Sequence, residues 1–268
     1  MRQMRDTLRG AFQRVLRLPN RRKETRRGTL DHIRGFHSDV LGNDRDITIY
    51  LPPGYDDRDD VRYPVLYMHD GQNLFEPERA FIPGQNWRLA EAADEKIGAR
   101  TTRPMIIAGI DNTNTRIDEY TPTHDAARNA GYRTLPGAAD TALGGSSLGG
   151  LATLYIGLTH PAVFGHLAVM SPSVWWDNRA ILTTLDHFSS PRRPRIWLDF
   201  GGREGVEGMT DARLLRDRLR SRGWTNEADF RYFEDRRADH SERAWAKRVP
   251  DVLEFLFPAP ELSPQNGS

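Results

Sequence analysis

The sequence predicts an α/β fold, a mostly parallel sheet with helices on both faces. Three observations predict it. Short apolar, β-rich runs recur at residues 63–68, 105–110, 166–170, 195–200 and 229–233. Stretches with apolar residues at helical spacing lie at 87–96, 148–159, 178–188, 210–222 and 242–257. A G-x-S-x-G motif stands at one strand-to-helix junction. Strands buried on both faces read as continuous apolar runs, and their alternation with amphipathic helices is the pattern of a parallel sheet.

The chain opens on a basic arm, residues 1–28, in which ten Lys and Arg face only Asp6 and Glu24. Leu8, Ala11, Phe12, Val15 and Leu16 share one helical stripe there. The stripe docks on its own domain or, in the sharper reading, on an anionic surface. Residues 30–37 are mixed. Residues 45–51 alternate as a strand, and Pro52-Pro53-Gly54-Tyr55 turns it. The acidic loop at 56–60 reads as surface. The 63–68 strand runs into His69-Asp70-Gly71-Gln72-Asn73. Pro250 is expected to interrupt the last helix. Residues 29–258 form the principal domain, and 259–268 read as a frayed tail.

Composition narrows the function. A chain of 268 residues without a central linker or internal repeat supports one large domain with a substantial core. Lys plus Arg number 38 against 37 Asp plus Glu, a net charge of +1, which argues against a nucleic-acid partner. The chain has no cysteine, so disulfides, thiolate chemistry and cysteine-ligated metals are excluded. No apolar run approaches the ~18 residues of a membrane helix. The N-terminal segment lacks the apolar core of a secretory signal, and the expectation is a cytoplasmic protein.

Gly144-Gly145-Ser146-Ser147-Leu148-Gly149-Gly150 organises the chemistry. Read as G-x-S-x-G, it places Gly145, Ser147 and Gly149 in the fixed positions. A serine there sits on a sharp strand-to-helix turn that lifts its hydroxyl above the sheet edge. Ser146 would need a glycine at 148, where Leu148 stands.

A serine nucleophile needs a base and a carboxylate that orients the base. With this elbow the chain order is Ser, acid, His. Downstream, His160 ends a helix, His166 opens a strand and His187 lies on a helix. His240 alone falls in a polar loop between the last strand and the last helix, where active crevices form. Glu204, in the glycine-rich turn after the 195–200 strand, is the first choice of acid. Asp199 is second and Glu207 third. The oxyanion needs two backbone N–H donors. Leu148 supplies one, and Gly71 or Gln72 the other. His69 and Asp70 have no third ligand at useful spacing, so a loop-structuring role fits better than a metal. Trp175 and Trp176 either line the cleft as substrate-binding residues or fill the core.

At this point the chain resembles the esterase family of the α/β-hydrolase superfamily, which includes enterochelin and other siderophore esterases and feruloyl esterases. The matching stretches are residues 50–55, 63–75 (YPVLYMHDGQNLF), Arg116 with Glu119-Tyr120-Thr121-Pro122, residues 144–151, Ser171 to Trp176, and His240-Ser241-Glu242. The resemblance implies an α/β-hydrolase fold over about residues 30–257. It carries the family's serine to Ser147, its histidine to His240 and its acid to Glu204, although the Gly-Thr usual before the acid reads Gly201-Gly202 here. Relatives carry a long helix between the EYTP segment and the nucleophile strand. Here only residues 124–131 separate Pro122-Thr123 from Tyr132-Arg133-Thr134. That implies a shortened crossover and a partly bare sheet face, to be covered by the N-terminal stripe or by a second subunit in a homodimer.

The expected activity is that of a serine carboxylic-ester hydrolase on a small, carbohydrate-linked or siderophore-linked ester. No cofactor and no metal is implied, because the triad performs its own proton transfers. Acyl transfer to another acceptor would use the same residues. A non-catalytic hydrolase-fold protein is the reading from a different class.

Overall fold

The computed structural model describes residues 27–39, 41–57, 61–121, 123 and 141–260. Its strands are β1 (Thr29–Ser38), β2 (Asn43–Leu51), β3 (Val65–Met68), β4 (Ile106–Ile110), β5 (Thr141–Ser146), β6 (Phe164–Met170), β7 (Arg195–Gly201) and β8 (Phe230–Asp235). They form one eight-stranded sheet in the order β1-β2-β4-β3-β5-β6-β7-β8. The β1–β2 and β2–β4 pairs are antiparallel, and every other pair is parallel. The helices are α1 (Leu89–Gly98), α2 (Arg116–Tyr120), α3 (Leu148–Thr159), α4 (Trp176–Asp186), α5 (Val206–Ser221) and α6 (Glu242–Leu256).

Strand periodicity divides the core into two layers. In β6, Leu167 and Val169 point to one face, and Ala168 and Met170 to the other. The first face packs against Leu151 and Leu154 of α3, Ile181 and Leu185 of α4, and Leu215 and Leu219 of α5. The second packs against Leu89 and Ala93 of α1 and Val249, Val252, Leu253 and Leu256 of α6. This is the two-sided cover that the apolar runs predict.

Two local expectations are corrected. Helix α6 runs through Pro250 without a break. An interior proline costs about 3 kcal/mol, but each large aliphatic side chain buried on this face contributes about 1.5–3 kcal/mol. Four such side chains outweigh the lost backbone bond. Helix α4 is less regular than its pattern suggests, because Asp177, Asn178 and Arg179 hold φ of 44°, 52° and 66° at its start.

The sheet order positions the site. β3 lies between β4 and β5, so the chain reverses its winding direction about β3. Ligand crevices in open α/β sheets form at the carboxyl ends of the strands at such a reversal. The loops after β3 and β5 carry Gly71 and Ser147 respectively. The basic arm through residue 26, the crossover at 124–140 and the tail from 261 lie outside the described residues, as does the expectation of a bare sheet face.

Candidate active site

Ser147 sits between β5 and α3 with φ 58° and ψ −122°. A non-glycine residue with positive φ is strained, and this strain presents the hydroxyl at the end of the sheet. The motif glycines are required by close approach. A Cβ on Gly145 would stand 2.8 Å from the carbonyl carbon of Gly149. The Ser147 N–H donates to the Met170 carbonyl, and its own carbonyl accepts from Ser173 N–H at 3.0 Å. Its Oγ lies 3.4 Å from Ser173 Oγ. Among the described residues the Ser147 hydroxyl makes no hydrogen bond to His240. Catalytic hydrogen bonds are often open before substrate arrives.

The structure brings Glu204 and His240 together across the ends of β7 and β8. His240 Nδ1 is 2.7 Å from Glu204 Oε2, with the carboxylate side chain 1% and the imidazole 44% exposed. An oriented, buried acceptor on Nδ1 leaves Nε2 as the free nitrogen of the ring. The Trp245 indole meets the imidazole edge-on at 4.9 Å. Glu204 Oε1 accepts the Gly201 N–H at 2.8 Å and the Ser171 hydroxyl at 2.7 Å. The glycine at 201 has a direct reason, since a Cβ there would lie 2.4 Å from Glu204 Oε1 and 2.6 Å from the Ala238 carbonyl oxygen. Asp199 stays behind this pair, within β7 and fully buried. Glu207 lines the neighbouring cavity.

Gly71, Gln72 and Asn73 form a single 3-10 turn after β3. The N–H groups of Gly71, Gln72 and Leu148 have no backbone acceptor among the described residues. Leu148 opens helix α3, where amides have no intrahelical partner. The start of α3 packs against the segment that follows β3, since a Cβ on Gly149 would stand 3.2 Å from His69 Cβ. Asp70 pins the turn. Its carboxylate takes both Arg116 Nε and Arg116 Nη2 at 2.7 Å and Asn112 Nδ2 at 2.6 Å. Its own N–H donates to Tyr120 Oη at 3.1 Å. His69 is enclosed, and burial lowers its imidazole to about 4, so the ring is neutral at physiological pH.

A cavity of about 510 Å³ opens beside these groups, and Ser173, Trp175, Asn178, Arg179, Val206 and His240 line part of it. Trp175 is 44% exposed and faces this space, whereas Trp176 is 2% exposed and packs in the core. Of the two tryptophans, only Trp175 is placed to meet a ligand. Arg179 is held on the wall by Asp211, Nε to Oδ1 at 2.6 Å.

Sequence reasoning gave no role to Ser171, Arg248 or Trp245, of which Ser171 and Arg248 reach Glu204 and Trp245 meets Ser171 and His240. One signal was available. Trp245, Arg248, Val249 and Val252 share the apolar stripe of α6, and an arginine at a core position needs a buried partner.

Comparison with known proteins gives the family and the fold. The sequence model of the family described as "Putative esterase" matches residues 38–256. The uncharacterized protein YbbA of Bacillus subtilis is 26% identical over 262 residues, covering 84% of this chain and 97% of that protein. The iron(III) enterobactin esterase of Dickeya dadantii is 32% identical over 162 residues, 56% of this chain and 35% of its own length. The crystal structure of an IroE-like serine hydrolase from Shewanella oneidensis superposes with a TM-score of 0.67 at 19% identity, over 85% of this chain and 80% of that one.

Proposed function

This chain belongs to the esterase family, and from that premise we propose that it is a serine hydrolase that cleaves carboxylic esters with Ser147, His240 and Glu204 as its triad. The observation that carries the reading is the 2.7 Å contact of buried Glu204 with His240 Nδ1, at the same sheet edge as the strained Ser147. Ser147 Oγ attacks the ester carbonyl as His240 Nε2 takes its proton. Glu204 accepts from Nδ1–H and favours the imidazolium that forms. The oxyanion is held by Leu148 N–H and by the N–H of Gly71 or Gln72. Collapse breaks the ester C–O bond, and His240 returns the proton to the departing alcohol. Water then repeats the sequence on the acyl-enzyme with His240 as base.

The cavity beside His240 receives one side of the ester, with the exposed Trp175 indole as a stacking surface for a planar group. Relatives named as enterobactin esterases support a siderophore-linked ester as the substrate class. Fluorophosphonate labelling of the whole protein beside Ser147→Ala tests the triad. Labelling of the wild type that vanishes in the variant is expected. A folded, unlabelled wild type would overturn the reading.

A further inference from the structure

We propose that Arg179 recognises a carboxylate on the alcohol part of the ester, so that the site prefers substrates whose leaving alcohol is a planar, acid-bearing group. The inference rests on the triad reading above and adds a feature of its substrate. The cavity lies on the His240 side of the site. His240, Glu204 and Ser173 line it, whereas Gly71, Gln72 and Leu148 do not. The imidazole that returns a proton to the departing alcohol therefore faces the space that alcohol occupies.

Arg179 is fixed in the wall of this space. Asp211 is 2% exposed, and a buried carboxylate needs a partner. Its Oδ1 accepts Arg179 Nε–H at 2.6 Å. Among the described residues Nη1 and Nη2 of Arg179 make no hydrogen bond, and the side chain is 48% exposed. The guanidinium is thus anchored at one edge and open at its end. Coplanar N–H donors on that end match the two oxygens of a carboxylate. Trp175, exposed on the same wall, offers the flat face of an indole to the ring that carries it. The backbone points the same way. Asp177, Asn178 and Arg179 are three consecutive non-glycine residues with positive φ. Strain of this kind persists at ligand clamps, where the surroundings impose it.

The other charged groups of the wall are carboxylates. Glu204 is taken by His240, Ser171 and the Gly201 N–H, and Asp211 by Arg179. Glu207, in the first turn of α5, has no ion pair among the described residues. It repels an incoming anion. That repulsion acts through solvent, since Glu207 is exposed, whereas a carboxylate seated on Nη1 and Nη2 touches the cation directly. Direct contact wins, and Glu207 weakens the preference without reversing it.

The test compares hydrolysis of p-acetoxybenzoate with that of p-acetoxybenzamide, its neutral analogue, and checks the same protein for fluorophosphonate labelling of Ser147. In the wild type kcat/KM is about 10-fold higher for the carboxylate ester, chiefly through KM. Arg179→Met combined with Asp211→Asn removes both charges of the clamp together, and the ratio of the two kcat/KM values falls to near one. Glu207→Gln moves the ratio the other way, by about 2-fold. A purely structural role would lower both activities in proportion and leave the ratio unmoved, which would overturn the inference. Should the double variant fail to fold, Glu207→Gln decides, and an unchanged ratio there counts against it. A labelled wild type that cleaves both esters alike, or neither, would overturn this inference alone. An unlabelled folded wild type would overturn the triad reading and this inference with it.

Discussion

His240 Nδ1 meets Glu204 Oε2 at 2.7 Å, while Asp199, five positions earlier and equally buried, faces Arg248 instead. The two carboxylates, one within β7 and one in the turn that follows it, share Arg248 and Ser171, but it is Glu204 that meets the imidazole. Replacing Glu204 by Gln keeps the shape but removes the charge and the tautomer control. The expected loss in kcat on p-nitrophenyl acetate is roughly 10³–10⁴-fold, with little change in KM. Asp199→Asn is expected to lose much less. Comparable losses in the two variants would assign the acid role to the wrong residue.

The turn after β3 has almost no spare volume. A Cβ on Gly71 would lie 2.5 Å from the carbonyl carbon of Gly109. Gly71→Ala must therefore push the turn away from β4 and displace the N–H groups proposed to hold the oxyanion. A kcat loss of roughly 10²-fold is expected, together with a lower Tm. Normal turnover in a folded Gly71→Ala protein would remove this turn from the oxyanion site.

The paired tryptophans give a contrast within one dipeptide. Trp176→Ala opens a hole in the core and should reduce unfolding free energy by about 3–5 kcal/mol in urea titrations. Trp175→Ala removes an exposed ring from the cavity wall. Its expected effect is a higher KM for aromatic esters and a near-unchanged urea midpoint.

Acid stability should reflect His69. Its folded imidazole is lowered to about 4 by burial, against 6.5 when unfolded. Between those values the unfolded chain binds a proton that the folded chain refuses, so this contribution is lost as pH falls from 6.5 through 4. Asp111 and Asp199 act in the opposite sense. Burial raises both carboxyls from 3.8 to about 6, so their contribution is lost as pH rises through that window. Urea unfolding at several pH values, with His69→Gln beside the wild type, checks the sign. The variant should lose less stability on acidification than the wild type.

Much of this was legible in the chain. Strands buried on both faces announce themselves by continuous apolar runs, and α3 begins and ends at the residues its pattern marks. The strained turn at Ser147 and the loop that carries His240 were legible because turn and loop signals are local. The support beneath Glu204 was not, because it joins residues from β7, the end of β6 and α6, up to 77 positions apart. Gly201-Gly202 departs from the Gly-Thr usual before the family's acid, so the sequence leaves Glu204 as the first of three choices. In three dimensions Gly201 is what lets the carboxylate fold back against the strand end. Pro250 misled for the reverse reason, since local propensity yielded to tertiary burial.

The left-handed run at Asp177, Asn178 and Arg179 has a bearing on laboratory evolution. Such backbone suits glycine and asparagine, and an arginine there is retained against its preference. Arg179→Gly would relieve about 1 kcal/mol of this strain but would leave the buried Asp211 carboxylate unpaired, at a cost of about 1–3 kcal/mol or more. The same replacement would strip the cation that Asp211 clamps to the cavity wall. Selection for heat resistance would therefore leave this bend as it is, and a change in the cavity wall here would come only at a cost in stability.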